Sequence, residues 1–188
     1  MNDAHNRTET AASPLDTRSL RAAFGAFATG VTVVTAIKPT GEAAGVTANS
    51  FTSVSLDPPL VLWCLQNSST SLAAFTQGRR FSINILAAHQ GHVAMQFSGK
   101  APAKFPNMPR LDPDGPPPRL VGGLGRLDCV AIDVYPAGDH RIIVGRVTNL
   151  EQGSGEPLCF HGGRFGRFEV DPGSREVTTW ESHADEWY

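Results

Sequence analysis

The sequence lacks most of the signals that mark the commoner functional classes. Only three of its 188 residues are cysteine, Cys64, Cys129 and Cys159, and none forms a C-x-x-C pair. This leaves neither a zinc site nor a thioredoxin-type motif, and the odd count points to free thiols, with Cys64 and Cys129 expected to be buried. No apolar run approaches the roughly 20 residues that a membrane-spanning helix needs. The first ten residues, MNDAHNRTET, have no apolar centre, so no secretory signal is read and a cytoplasmic location is expected. The formal net charge is -2 and no basic block stands out, which removes the electrostatic footprint of a nucleic-acid binder. Neither G-x-S-x-G nor a Walker A motif occurs. Gly122-Gly123-Leu124-Gly125 lacks the third glycine of a dinucleotide fingerprint, and no helical pattern follows it. His89 and His92 lie three apart without a third ligand, so no metal is expected.

What remains is a globular chain, 40% apolar and 18% charged, of a length suited to one domain. We expect a mobile tail at 1–15, a domain at 16–170 and a C-terminal tail at 171–188. Leu20, Ala23, Phe24 and Phe27 share a helical face, with Asp16 or Thr17 to cap the helix and Gly30 to end it. The period then changes to two. Val31–Ile37 and 44–50 read as a hairpin around Lys38-Pro39-Thr40-Gly41-Glu42, and Leu60–Leu65 reads as a central strand. A short helical pattern at Ser71–Gln77 precedes a strand at 81–86, and 87–97 reads as a helix interrupted by Gly91. Residues 102–118 hold seven prolines and form a long loop within the domain. Two further strands flank the Pro136–His140 turn, and Val177–Trp180 suggests a last short one. Six or seven strands joined mostly by short turns make a mainly antiparallel sheet, closed or partly closed into a barrel with helices at its edge.

Two stretches place many hydrogen-bonding groups beside apolar runs. Ser68-Ser69-Thr70-Ser71 follows a strand and opens a helical pattern, so it is either an ordinary cap or a phosphate cradle. In Val46-Thr47-Ala48-Asn49-Ser50, small side chains would let a flat ring approach the backbone, or the strand side simply faces solvent. Gly138-Asp139-His140 is a turn that also sets an Asp beside an imidazole. His161-Gly162-Gly163-Arg164-Phe165 joins a glycine turn to a basic residue.

Taken in order, these pieces resemble one family. Phe24-x-x-Phe27-Ala28-Thr29-Gly30-Val31-Thr32-Val33-Val34-Thr35, the long segment Gly45–Val61 with T-A-N-S-F-T-S-V-S-L-D-P-P, Ser68–Ser71, Arg80–Leu86, Gly138-Asp139-His140 and Val144-Gly145-Arg146-Val147 are similar to the short-chain NAD(P)H:flavin oxidoreductases. These are the small reductase components of two-component flavin monooxygenases. The resemblance covers roughly residues 18–168. It implies a split β-barrel with a Greek-key-like antiparallel course and flanking helices, a homodimer, FMN or FAD, and NADH or NADPH as reductant. It implies flavin contacts from Val46, Thr47, Ala48, Asn49 and Ser50, from Cys64, Leu65 and Gln66, and from Phe81, Ser82 and Asn84. Ser69, Thr70 and Ser71 match the phosphate positions. Gly138, Asp139 and His140 match the nicotinamide side, where His140 is the residue named as catalytic; His161, Arg164 and Phe165 fall near the site. Reduced flavin would diffuse to a separate monooxygenase. The competing readings are a flavoprotein with tightly held FMN that reduces a corrinoid, quinone or metal complex, and a dimeric binding module without turnover.

Overall fold

The computed structural model describes residues 15–99 and 104–173. The expected strand at Val177–Trp180 lies outside the described residues. Chain order is α1 (Thr17–Gly25), β1 (Thr29–Gly30), β2 (Thr32–Ile37), β3 (Ala43–Ala48), β4 (Thr52–Leu56), β5 (Pro59–Gln66), a 3-10 turn (Leu72–Phe75), β6 (Arg80–Ile85), a second 3-10 turn (Ala88–Gln90), α2 (Gly91–Phe97), β7 (Gly125–Ala137), β8 (His140–Gln152), β9 (Leu158–His161) and β10 (Arg164–Arg167).

Seven strands form one antiparallel sheet in the order β3-β2-β6-β7-β8-β5-β4, and β1-β9-β10 form a small second sheet. The two edges of the large sheet, β3 and β4, are consecutive in the chain, and no ladder joins them among the described residues. The β2–β3 hairpin closes by Lys38 N–H donating to the Glu42 carbonyl at 2.8 Å, as the Pro and Gly of that turn predict. β7 and β8, at 13 residues each, run well past the apolar cores that suggest them.

Every residue of β2 is buried because both faces of the sheet are covered. Val34 and Ala36 join Trp63, Phe75, Phe81, Ile83 and Ile143 in the larger core. Val31 and Val33 turn the other way, to Leu86, Ala94, Phe97 and Leu158 beneath α2. Val31–Ile37 is rich in β-branched residues, and its two buried threonines are satisfied, Thr32 Oγ1 donating to the Ala48 carbonyl at 2.8 Å and Thr35 Oγ1 to the Pro118 carbonyl at 2.7 Å. The large core centres on Trp63 and Phe75, whose rings meet edge to face with centroids 4.9 Å apart. Burying each such side chain contributes about 1.5–3 kcal/mol.

Asp16 caps α1 as its side chain predicts, accepting the Ser19 backbone N–H at 3.0 Å. The helix ends at Gly25 rather than Gly30, because the Ala26 and Phe27 N–H groups bond three residues back and tighten the last turn. Its apolar face has no partner among the described residues: Phe24 is 73% exposed and Phe27 77%. Three strands lie where no strand pattern is read, β4 at 52–56 and the two of the β9–β10 hairpin around Gly162-Gly163, both glycines having positive φ.

Candidate functional site

A cavity of about 600 Å³ opens where the ends of β3 and β5, the end of α2 and the β9–β10 hairpin converge. Its first wall is Val46–Ser50, where β3 ends and the chain turns toward β4. Here two of the hydroxyls have structural partners. Thr47 Oγ1 donates to the Ala94 carbonyl of α2 at 2.7 Å, and Ser50 Oγ accepts the Cys64 N–H of β5 at 2.9 Å. They hold the walls in place, while the Asn49 side chain is exposed and uncommitted.

The second wall runs from Cys64, Leu65 and Gln66 at the end of β5 into Ser68, Ser69 and Thr70. This turn is fixed from within by Ser69 N–H donating to the Gln66 carbonyl and Ser71 N–H to Ser69 Oγ, at 3.0 and 3.2 Å. It is fixed from outside by Asn67. Its backbone N–H donates to the Asp139 carbonyl and its side-chain amide to the Gly138 carbonyl, at 2.9 and 3.1 Å. That pair of bonds brings the β7–β8 turn to the cavity, and with it His140. His140 Nδ1 lies 2.7 Å from Asp139 Oδ1, and this hydrogen bond lowers the Asp139 pKa below its ordinary value. The helix expected at 71–77 is a four-residue 3-10 turn, too short for a useful dipole. Any anion here is held by hydroxyls and turn N–H groups.

The remaining walls come from α2 and its exit (Met95, Phe97, Ser98, Gly99), from Lys104, and from Phe160 and Phe165, whose rings pack at 5.6 Å. Lys104 was not singled out among the prolines around it. It borders the cavity with no carboxylate beside it: among the described residues that line the space, none is Asp or Glu.

The expected site residues thus separate into two groups. Val46, Thr47, Ala48, Asn49, Ser50, Cys64, Leu65, Gln66, Ser69, Thr70, His140 and Phe165 border one cavity. Ser71 is buried behind the hydroxyl turn, Gly138 and Asp139 support His140 from outside, and His161 and Arg164 are exposed on the β9–β10 hairpin away from the cavity wall. Phe81, Ser82 and Asn84 are not brought to it. Phe81 is in the aromatic core, Ser82 Oγ donates to Asp128 Oδ1, and the Asn84 amide donates to the Val33 carbonyl at 2.9 Å. β6 lies between β2 and β7, and both of its faces are covered, so an alternating pattern on it does not mark a ligand face. The proline-rich segment, too, is mostly fixed elsewhere. Arg79 donates to the Pro113 carbonyl at 3.0 Å, and Thr35 Oγ1 to the Pro118 carbonyl at 2.7 Å, so only its beginning reaches the site.

The arrangement suits a flat, polar-edged, anionic ligand. Its volume is in the range of cofactor pockets, small side chains let a ring lie on the Ala48–Ser50 backbone, hydroxyls converge at one end, and among the described residues the ionisable nitrogens on the wall are those of Lys104 and His140. A flavin mononucleotide fits these demands.

Comparison with known proteins agrees. A family model for the flavin reductase like domain matches residues 24–169. FMN reductase (NADH) SmoA of Agrobacterium fabrum is 46% identical over 153 residues, covering 81% of this chain and 87% of that protein. The reductase subunit HsaB of a flavin-dependent monooxygenase from Rhodococcus jostii is 35% identical, over 91% of this chain and 88% of its own length. Among solved structures, the NADH:FAD oxidoreductase SgcE6 of Streptomyces globisporus, in complex with NAD and FAD fragments, superposes with a TM-score of 0.75 at 37% identity, covering 85% of this chain and 97% of that one.

Proposed function

The chain belongs to the flavin reductase like family, and from that premise we infer that it transfers hydride from NADH or NADPH to FMN or FAD and supplies reduced flavin to a partner monooxygenase. One observation carries this reading to the residues. Val46–Ser50, Cys64–Gln66 and Ser68–Thr70, distant in sequence, line a single cavity with no carboxylate among the described residues that border it.

The flavin, as an exchangeable substrate, brings the redox chemistry, and the protein supplies position and electrostatics. The ring rests against Ala48–Ser50, where the backbone is accessible. Ser69 and Thr70 take the phosphate. His140, held by Asp139, faces the open side where nicotinamide stacks. Hydride transfer needs no general base, so His140 acts through contact and orientation. The 16–170 region is the flavin-binding unit. The two edge strands β3 and β4, adjacent in the chain at opposite ends of one sheet, support a split β-barrel. The bare α1 face, with Phe24 and Phe27 exposed, supports a homodimer in which a second copy covers it. Dependence on NADH or NADPH accords with a cytoplasmic location.

The site assignment is tested by flavin titration, following quenching of flavin fluorescence. Combining Ser69→Ala with Thr70→Ala is expected to weaken FMN by about tenfold, the scale of one or two charge-assisted hydrogen bonds, and to leave riboflavin, which lacks the phosphate, unaffected. An equal loss for both ligands would remove the phosphate assignment. His140→Ala is expected to raise the KM for NADH more than that for flavin, and an unaltered NADH dependence in stopped-flow reduction would contradict its placement.

A further inference from the structure

Lys104 has a role that capping alone does not explain. Its Nζ donates to the Gly45 carbonyl of β3 at 2.8 Å and to the Phe97 carbonyl at the end of α2 at 2.9 Å. An ammonium carries three N–H donors, and the third has no acceptor among the described residues. No ion pair among the described residues involves Lys104. The residue is half-buried, and desolvation lowers the pKa of its ammonium.

Its position is fixed from several sides. Gln96 Nε2 donates to the Lys104 carbonyl at 2.9 Å, and the ring of the next residue, Phe105, packs edge to face on Phe97 at 4.9 Å. A neutral donor or a water would satisfy the Gly45 and Phe97 carbonyls equally well. Holding a cation there without a counter-charge costs desolvation. Among the described residues nothing supplies that counter-charge, whereas an anion filling the cavity would.

We propose that Lys104 sets a fixed positive charge against the flavin that favours the reduced anion over the oxidised ring. The proposal rests on the flavin-reductase reading. In that reaction two electrons and one proton pass together from nicotinamide C4 to flavin N5; the nicotinamide becomes cationic and the flavin ring gains one negative charge. A cation preorganised beside the ring stabilises the charge as it develops and needs no rearrangement to do so. The phosphate of FMN carries the same charge before and after transfer. A contact to phosphate would hence strengthen both redox forms alike, whereas a contact felt by the ring separates them.

The experiment compares dissociation constants for oxidised and reduced FMN, measured anaerobically, in the unaltered protein and in K104Q, K104M and K104R. K104Q keeps a hydrogen-bond donor for the two carbonyls and removes the charge; K104R keeps the charge. The ratio of oxidised to reduced dissociation constants is expected to fall about tenfold in K104Q and K104M and to be retained within about threefold in K104R, the scale of one unit charge about 12 Å from the developing charge at an effective dielectric near 20. If K104Q does not fold, K104M provides the same test. Equal weakening of both forms would overturn the proposal in favour of a phosphate contact or a purely structural role. An unchanged ratio would overturn it as well. Failure of the unaltered protein to bind either form would instead strike the flavin reading beneath it.

Discussion

Ser50→Ala tests how the cavity walls are held together. β3 and β4 share no ladder, so the chain leaving β3 is joined to β5 through side chains. Ser50 makes that connection in both directions: its Oγ accepts the Cys64 N–H at 2.9 Å and donates to the Cys64 carbonyl at 3.4 Å. Alanine removes the acceptor and leaves a half-buried N–H to find water. The loss of one such bond, with its donor left unpaired, is worth about 1–2 kcal/mol. For a chain of this length each kcal/mol moves the melting temperature by about 2–4 °C, so a fall of roughly 2–8 °C is expected. The melt is followed by circular dichroism at fixed protein concentration without flavin, because ligand and subunit association both raise apparent stability. Flavin affinity should fall several-fold in parallel, since the Asn49 and Gln66 sides of the cavity are no longer tied. An unchanged melting temperature together with a hundredfold loss of flavin affinity would refute the reasoning, because Ser50 would then act on the ligand directly and not on the walls.

Gly145→Ala should destabilise by about 1–3 kcal/mol through overpacking, because a Cβ there would lie 2.4 Å from Phe81 Cζ and 3.3 Å from Cys129 Cβ; urea midpoints at constant m-value check it. Cys129 is buried, and that burial, with a smaller contribution from Asp128, pushes its thiol up to about 12. It should resist a thiolate-directed disulfide reagent in the folded protein and react once the chain is denatured; modification in the native state at the rate of a free thiol would contradict its environment. Because the folded thiol keeps its proton while the unfolded one ionises, Cys129 leaves stability unaffected below the ordinary thiol range and lowers it as pH rises above that range; a pH series of denaturation midpoints reads this directly.

Much of the architecture was legible because strands buried on two faces carry an unmistakable pattern. Val31–Ile37 becomes an inner strand buried on both faces, and Leu60–Leu65 an inner strand with Val61, Trp63 and Leu65 buried and the alternate residues half-buried. β4 was hidden because Ser53 and Ser55 alternate with Val54 and Leu56 on an exposed edge next to Asp57-Pro58-Pro59, where turn chemistry dominates the reading. β9 and β10 were hidden by Gly162-Gly163 between them. The α1 stripe was legible, but what covers it is not encoded in the stripe. At the site, the hydroxyl clusters pointed to the right region because they are dense and contiguous. Their roles needed coordinates: Thr47 and Ser50 tie elements together, and Ser71 lies behind the wall. Phe81, Ser82 and Asn84 were expected at the flavin from the family resemblance alone; the alternation of β6 marks a strand and does not tell a ligand face from a second core. Lys104 had no signal at all, since a single lysine among prolines acquires meaning only when the chain returns to Gly45 and Phe97.

The account is tested most directly by following the loss of NADH absorbance with purified protein while free FMN, and separately FAD, is titrated in under air. The account predicts saturable oxidation over many turnovers that depends on added flavin, with reduced flavin released to solution. A protein that retains its flavin through purification, is reduced once and then stalls regardless of added FMN or FAD, would contradict an exchangeable flavin substrate and would require a different acceptor.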